Sequence, residues 1–319
     1  MYAPQYLLKS FEALPVDDRM RVFGRLLWVL VQANMVDKIP RPPSSSIRVV
    51  SDGSKWQDAA RAISLGQMTC PSAVAWRVAE LRKGGEHALW VTTSDGRLLV
   101  QRANGQREDL CKGVAWTDGL NALSQNAMWT PTLELTSFET TPAADKMTVI
   151  CKMLDVLHAA NVGWIKAGNP VPPLYQSNLR YKEEQLGKDE WQDIPRTLQL
   201  GNGDCEDLAS YRVSELRAGG EAAEHTVEHR RSPTLVLYHI RVKRPNGDIE
   251  DPSCALGMGG ACANLVPAAR AAQQLDAPQA PTTGMQQTMT SGLTMTGRPH
   301  WARHGMVAPE HAVLAALSL

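Results

Sequence analysis

One short stretch of the chain has the residue types of a cysteine nucleophile. Residues 201–207 read Gly-Asn-Gly-Asp-Cys-Glu-Asp, and the sequence that follows predicts a helix from about Cys205 to Arg217. Asp204 is suited to cap that helix, which places Cys205 at its first position. Unpaired backbone N–H groups and the helix dipole favour a thiolate there. We therefore expect Cys205 to act as a nucleophile.

A cysteine nucleophile needs a general base and a group that orients this base. His239 lies 34 residues after Cys205, on a predicted strand over Thr234–Val242. Asp251 follows 12 residues later, beyond an Asn-Gly pair that predicts a hairpin turn. On adjacent antiparallel strands His239 and Asp251 can lie side by side, and the other ring nitrogen then faces Cys205. Cys205, His239 and Asp251 form a candidate catalytic triad.

Each of these residues also has a structural interpretation. Cysteine is a commonly buried residue type, His239 has apolar neighbours in sequence, and Asp251 precedes a proline as many turn residues do. The acids Glu206 and Asp207 can simply complement the positive end of a helix. The remaining histidines show no ligand-like spacing beyond two i, i+4 pairs, so we expect neither a metal nor a cofactor.

The chain contains an internal repeat. Leu65–Glu86 and Leu200–Glu221 align without a gap at an offset of 135, with 11 of 22 positions identical. Upstream, Ser10–Asn34 aligns with Ser137–Asn161 at an offset of 127, and the Trp-Gln-Asp of residues 56–58 recurs at 191–193. A repeat on this scale indicates two similar folded units.

The repeat divides the chain into three parts. We assign residues 1–127 to copy one, 128–262 to copy two and 263–319 to a tail without a counterpart. Each copy reads as a helix, a second helix and then antiparallel strands, which is an α+β pattern. The tail is low in charge over residues 282–298, as is typical of a linker or of an arm that docks on a partner.

Copy one lacks the base that copy two has. Cys70 and Asp109 align with the first and third members of the candidate triad, and Arg97 takes the place of the histidine. An arginine side chain keeps its proton at neutral pH and cannot act as a general base. We therefore expect copy one to be a degenerate duplicate that keeps the fold and lacks the chemistry.

The pattern Gly-Asp-Cys-Glu-Asp, then a histidine on a strand, then Asp-Pro-Ser resembles the transglutaminase-like superfamily. The likeness covers residues 189–258 and is greatest to bacterial and phage transglutaminase-like cysteine peptidases. It implies two tandem papain-like domains, with Cys205 as nucleophile, His239 as general base and acid, and Asp251 as the orienting group. Trp191 matches an upstream tryptophan of the family pattern. The superfamily includes proteases, transglutaminases and peptide N-glycanases, so the resemblance leaves the reaction open.

Composition excludes several classes of protein. The 33 basic and 33 acidic residues balance, so nothing favours nucleic acid as a partner. No apolar run is long enough to span a bilayer, and the first residues lack the pattern of a signal peptide. The six cysteines include no Cys-x-x-Cys pair, so neither a zinc ribbon nor a disulfide framework is expected. These features predict a chain made in the cytoplasm, with a virion as the other location.

Two functions fit the sequence. The first is a cysteine hydrolase or acyltransferase that acts on peptide or amide bonds of a protein or peptide substrate through a thioester acyl-enzyme. The alternative is a structural component of a phage virion, such as its neck or tail, or of another assembly. In that case the triad is vestigial and residues 263–319 contact other assembly proteins. The alternative rests on analogy with phage proteins of this superfamily.

Overall fold

The same order of helices and strands occurs twice along the chain. The computed structural model describes residues 1–36, 47–51, 55–94, 96–114, 128–185, 188–231 and 236–259. The α-helices of this part are α1 (Val16–Val36), α2 (Ala59–Leu65), α3 (Cys70–Lys83), α4 (Ala143–Lys166), α5 (Ile194–Leu200), α6 (Cys205–Ala218) and α7 (Pro252–Ala255). Its strands are β1 (Gln5–Leu7), β2 (Arg48–Val50), β3 (Lys55–Gln57), β4 (Gln67–Thr69), β5 (Leu89–Thr92), β6 (Leu98–Gln101), β7 (Arg107–Glu108), β8 (Thr132–Glu134), β9 (Arg180–Tyr181), β10 (Glu190–Gln192), β11 (Asn202–Gly203), β12 (Glu224–Arg231), β13 (Val236–Lys243) and β14 (Ile249–Glu250). Elements β1 to β7 belong to copy one, and copy two repeats their order from β8 to β14.

The mixed helix-and-sheet class is confirmed, and so are the elements that the sequence predicts around the triad. Helix α6 begins at Cys205, β13 carries His239, and a turn at residues 244–248 leads into β14. Strand β12, which pairs with β13 along its whole length, was missed. The boundaries near residues 127 and 262 and the tail over 263–319 lie outside the described residues.

A four-stranded sheet joins the two copies by exchanging their first strands. Its strand order is β10-β1-β8-β3. Strand β1 of copy one runs parallel to β10 of copy two, and β8 of copy two runs parallel to β3 of copy one. The two exchanged strands lie antiparallel to each other at the centre of the sheet. Each Trp-Gln strand is therefore paired with a strand from the other copy.

Two buried aspartates, one in each copy, stabilise this strand exchange. In copy two, Asp193 caps α5 with one oxygen and accepts the backbone N–H of Ser10 with the other, at 2.6 Å. In copy one, Asp58 caps α2 and accepts the backbone N–H of Ser137 at 2.7 Å. Hydrogen bonds from backbone N–H groups compensate a buried carboxylate for its lost hydration. The third residue of the Trp-Gln-Asp motif is thus a structural link between the copies.

The long helices α1 and α4 pack against each other and place both copies around one hydrophobic core. Leu26 and Leu30 of α1 are fully buried, as are Leu154 and Leu157 of α4, and all four belong to one cluster. Full burial of each such side chain contributes roughly 1.5–3 kcal/mol. Within the described part of the chain, no helix is long and apolar enough to cross a membrane.

A second set of shared contacts supports the hairpin of each copy. In copy two, Arg212 of α6 is buried and binds Glu250 of β14 at 2.7 Å. In copy one, Arg77 of α3 binds Glu108 of β7 at 2.8 Å. Because the pair occurs in both copies, it belongs to the scaffold that holds helix and hairpin together.

Candidate functional site

The loop before α6 is shaped by two glycines. Gly201 ends α5 in the left-handed region at φ +72°, which a residue with a side chain rarely adopts. Gly203 lies so close to Asp207 that a Cβ atom at residue 203 would be only 2.9 Å from the aspartate Cβ. The glycines let the chain turn tightly and bring Cys205 to the first position of the helix.

Asp207 holds this helix start against the Trp-Gln strand. Its carboxylate accepts the backbone N–H of Gln192 at 2.7 Å and that of Asp204 at 3.4 Å. In copy one the hydroxyl of Ser72 accepts the equivalent N–H of Gln57 at 2.8 Å. The same link therefore exists in both copies, and the role of Asp207 is structural.

His239 and Asp251 meet as the sequence predicts. The Nε2 atom of His239 lies 2.8 Å from Oδ2 of Asp251, and both residues are buried. The second carboxylate oxygen accepts the backbone N–H of Cys254 at 3.1 Å, which caps the short helix α7. An aspartate held in this way orients the imidazole ring. With Nε2 donating to Asp251, Nδ1 is left as the basic nitrogen.

The sulfur of Cys205 has a different partner in the described residues. Its Sγ donates to Oε2 of Glu206 at 3.1 Å and makes no hydrogen bond with the ring of His239. Helix α6, which begins with Cys205, packs against β13, the strand that carries His239. Burial and the charges of Glu206 and Asp204 raise the pKa of the Cys205 thiol well above its usual range. The resting group is a neutral thiol, whereas the position at a helix start predicts a thiolate.

Carboxylates gather on the side of Cys205 where Glu206 lies. Oxygen atoms of Glu184, Asp189 and Glu206 lie within 4.8 Å of one another. Burial raises the pKa of Glu184 to about 8, and burial with the charge of Asp189 raises the pKa of Glu206 to about 7. Three oxygen ligands at this spacing can bind a hard cation such as Ca²⁺ or Mg²⁺, and near neutral pH protons can serve in its place.

Sequence reasoning missed three residues around Cys205. Glu184 and Asp189 lie between β9 and β10, and Tyr181 is the last residue of β9. Burial is the largest cause that raises the pKa of the Tyr181 hydroxyl, and the nearby Cys205 is the next. Trp191, which the family pattern singles out, is buried and donates from Nε1 to Oδ1 of Asp189 at 3.1 Å. The available signal was the difference between the copies. At the offset of 135, Asp189 aligns with Ser54 and Glu206 with Pro71.

Copy one has an ion pair where copy two has the imidazole and its carboxylate. Nη1 of Arg97 lies 3.4 Å from Oδ2 of Asp109. The other oxygen of Asp109 accepts the backbone N–H of Cys111 at 3.0 Å, as Asp251 accepts that of Cys254. The alignment of Arg97 with His239 is therefore matched by equivalent contacts.

The cysteine of copy one that aligns with the nucleophile is oxidised. Cys70 forms a disulfide with Cys111, 41 residues away in sequence, and Cys254 of copy two is also disulfide-bonded. The expectation of a chain without disulfides is wrong, because folding brings together cysteines whose spacing gives no signal. Disulfides persist mainly in oxidising environments. Cys151 and Cys205 are the free thiols of the described residues.

The geometry of copy two can be compared with that of known proteins. No protein-family model, curated protein or solved structure matches this chain. The resemblance to the transglutaminase-like superfamily therefore rests on the residues around Cys205, His239 and Asp251.

Proposed function

We propose that copy two is a cysteine hydrolase or acyltransferase that acts on peptide or amide bonds. The observation that carries the proposal is the buried pair of His239 and Asp251, with Nε2 and Oδ2 2.8 Å apart. Strand β13, which carries this imidazole, packs against helix α6, which begins with Cys205. The proposal assigns the role of nucleophile to Cys205, that of base to His239 and that of orienting group to Asp251.

In the first step the side chain of Cys205 breaks its hydrogen bond with Glu206 and rotates towards His239. The thiol proton passes to Nδ1 of His239 while the sulfur attacks the substrate carbonyl, and the backbone N–H of Cys205 stabilises the oxyanion. The C–N bond then breaks, and the amine leaves with the proton from Nδ1. Water or a second amine attacks the resulting thioester and gives its proton to Nδ1, and Cys205 is released with its proton restored.

A structural or binding role in a larger assembly is the second candidate. The contact between Cys205 and Glu206 favours it, because a neutral thiol beside a carboxylate is a poor nucleophile. Copy one has already lost its base and its free thiol. In this role the triad of copy two is a remnant and the fold serves to bind a partner.

Thiol labelling of the full chain separates the two functions. The protein is treated with iodoacetamide across pH 5–9 without a reductant, and the modified cysteines are mapped by mass spectrometry. We expect Cys205 to react at least tenfold faster in the native protein than in a His239→Ala variant, because the base has been removed. Cys151, the other free thiol of the described residues, is the internal control. Hydrolysis of p-nitrophenyl acetate is measured on the same samples.

The possible results of this labelling experiment distinguish the enzyme from the structural role. Loss of both labelling and ester hydrolysis in Cys205→Ala, with Cys151→Ala unchanged, supports the enzyme. Equal labelling of Cys205 with and without His239, and no hydrolysis above the Cys205→Ala background, would falsify the catalytic proposal and favour the structural role.

A further inference from the structure

In copy one, three side chains hold a buried carboxylate where the exchanged strand β8 pairs with β3. The carboxylate belongs to Glu134 of β8, which lies opposite Gln57 of β3. Its Oε2 accepts from Nε2 of Gln57 at 3.3 Å and from Nε of Arg61 at 3.0 Å. Its Oε1 lies 3.8 Å from Nζ of Lys55. Copy one therefore contains a carboxylate site that the chain itself fills.

Copy two keeps the amide and the guanidinium of this site and lacks the carboxylate. Gln192 and Arg196 align, at the offset of 135, with the glutamine and the arginine that bind Glu134. The strand exchange places Leu7 opposite Gln192, as it places Glu134 opposite the glutamine of copy one. A leucine side chain ends at Cδ and cannot accept a hydrogen bond. The two copies thus pair equivalent strands and differ in whether the exchanged strand brings an acid.

The donor groups of copy two have no acceptor of the kind that copy one provides. Gln192 is only 5% exposed, and neither its Nε2 nor its Oε1 forms a hydrogen bond within the described part of the chain. The Nε atom of Arg196 is buried and has no partner among the described residues, whereas Nε of Arg61 binds a carboxylate. Buried polar groups are nearly always hydrogen-bonded, so these donors indicate a partner from outside the chain.

Two cations of copy two converge on one neutral oxygen atom. Nζ of Lys9 and Nη1 of Arg196 lie 3.0 and 3.4 Å from Oε1 of Gln199. Lys9 and Gln199 are exposed, so solvent and ligands can reach this place. Glu190, which aligns with Lys55, forms no ion pair with either cation in the described residues. Two cations and one acid leave a net positive charge, which favours an anionic ligand.

We propose that Gln192, Arg196 and Lys9 bind a carboxylate of a second molecule, at the place that corresponds to the Glu134 carboxylate in copy one. The planar guanidinium of Arg196 matches the two oxygens of a carboxylate, and the Gln192 amide donates as its counterpart does. Acidic side chains and peptide C-termini both supply such a group. The site includes no member of the candidate triad, so it does not depend on the proposed function.

Binding of three short acetylated peptides to the full chain tests this site. A trialanine peptide with a free C-terminus and an amidated peptide with a central glutamate each carry one carboxylate. Amidated trialanine carries none and is the control. Isothermal titration calorimetry at low salt measures the affinities, with inorganic phosphate as a fourth ligand. We expect at least one carboxylate peptide to bind at least tenfold more tightly than amidated trialanine. The peptide that binds distinguishes a C-terminus from an acidic side chain.

Four single variants locate the binding. Arg196→Gln should weaken the affinity for the carboxylate peptide at least tenfold, and Lys9→Gln about threefold. Arg61→Gln, the matched variant of copy one, should leave it unchanged because Glu134 already fills that site. Leu7→Glu supplies a carboxylate from the chain itself and should abolish binding of the peptide. Urea unfolding shows whether each variant is folded.

Several results would overturn the proposal. They are equal affinity for charged and neutral peptides, unchanged affinity in Arg196→Gln or in folded Leu7→Glu, and tighter binding of inorganic phosphate than of either carboxylate peptide. If Leu7→Glu does not fold, Lys9→Gln decides, because its exposed side chain can be replaced without disturbing the core. Cys205→Ala should bind the peptides as the native protein does, so a failure of the proposed function leaves this test intact.

Discussion

Cys70 and Cys205 begin equivalent helices in the two copies, and they have different covalent states. Cys70 is joined to Cys111 by a disulfide, whereas Cys205 keeps a free thiol that contacts Glu206. Where copy two has an imidazole bound to a buried aspartate, copy one has an exposed arginine paired with Asp109 at 3.4 Å. The two sites share their backbone and differ in the groups that carry protons.

The difference shows that one scaffold accommodates two different sets of side chains at the same place. In copy one, a disulfide joins the helix start to the end of the hairpin, and an ion pair lies within the hairpin. In copy two, acids and an imidazole occupy the equivalent region, and burial raises the pKa of several of these acids. Burying ionisable groups costs stability, so their retention in copy two alone favours a chemical role.

The largest contrast is expected when His239 and its counterpart in copy one, Arg97, are each replaced by alanine. His239→Ala should lower any turnover at Cys205 by about 10³-fold, within the range that general acid–base catalysis contributes. Arg97→Ala, its counterpart in copy one, should leave turnover unchanged because that copy has no free nucleophile. Steady-state hydrolysis of a chromogenic ester measures both. A similar loss in the two variants would mean that the copies do not differ in chemistry.

The disulfide of copy one should carry the next largest effect, which is on stability. Replacing both Cys70 and Cys111 by alanine should lower the free energy of unfolding by about 2–4 kcal/mol, since the bond closes a loop in the unfolded chain. The matched variant Cys205→Ala breaks no covalent bond and should change stability much less. Urea unfolding of the paired variants measures this. Variants are preferable to a reductant because Cys254 is also disulfide-bonded. Equal stability of the Cys70/Cys111 double variant and of Cys205→Ala would show that the Cys70–Cys111 disulfide does not stabilise copy one.

Two partly buried histidines should make the stability of copy two depend on pH. Burial and the charge of Arg217 lower the pKa of His158 to about 3, and burial and His158 lower that of His225 to about 3. The unfolded chain binds protons at these histidines near pH 6.5, so the folded state loses stability as pH falls from about 6.5 towards 3. The loss should reach about 2 kcal/mol for one histidine at pH 5.

A variant that gives copy two the apolar residues of copy one tests this pH dependence. His158 bonds Ser214 at 3.0 Å, and the aligned residues of copy one are Val31 and Ala79, which are both buried. The double variant His158→Val/Ser214→Ala should reduce the slope of stability against pH between pH 6.5 and 4. Urea unfolding at several pH values measures the slope. An unchanged slope would exclude His158 as its source.

The smallest effect is expected from the acid that faces the nucleophile. Glu206→Gln removes a negative charge from the neighbourhood of the sulfur, so the pKa of Cys205 should fall and the thiolate fraction should rise. Iodoacetamide should then alkylate Cys205 about three- to tenfold faster at pH 7, where a tenfold change corresponds to about 1.4 kcal/mol. Cys151 in the same sample is the reference. Slower alkylation of Cys205 in this variant would show that Glu206 activates the thiol.

Much of the local structure was predictable because it depends on short-range signals. The spacing of apolar residues predicted α1 and α4, the aspartate before Cys205 predicted the start of α6, and an Asn-Gly pair predicted the turn before β14. The pairing of His239 with Asp251 followed from their distances to that turn. The replacement of the histidine by Arg97 in copy one was visible once the repeat was aligned. The papain-like nature of the fold, the limits of the two domains and the catalytic roles remain predictions.

The sequence by itself determined that the chain is a duplication and that one copy alone has a cysteine, a histidine and an aspartate in catalytic order. Only the tertiary structure decided that the first strands are exchanged, that Cys70 meets Cys111, and that Glu206 rather than His239 binds the resting sulfur. The physical reason is that turns and helix starts depend on neighbouring residues. Strand exchange, disulfide pairing and the protonation of a buried acid depend on groups that only the packed fold brings together.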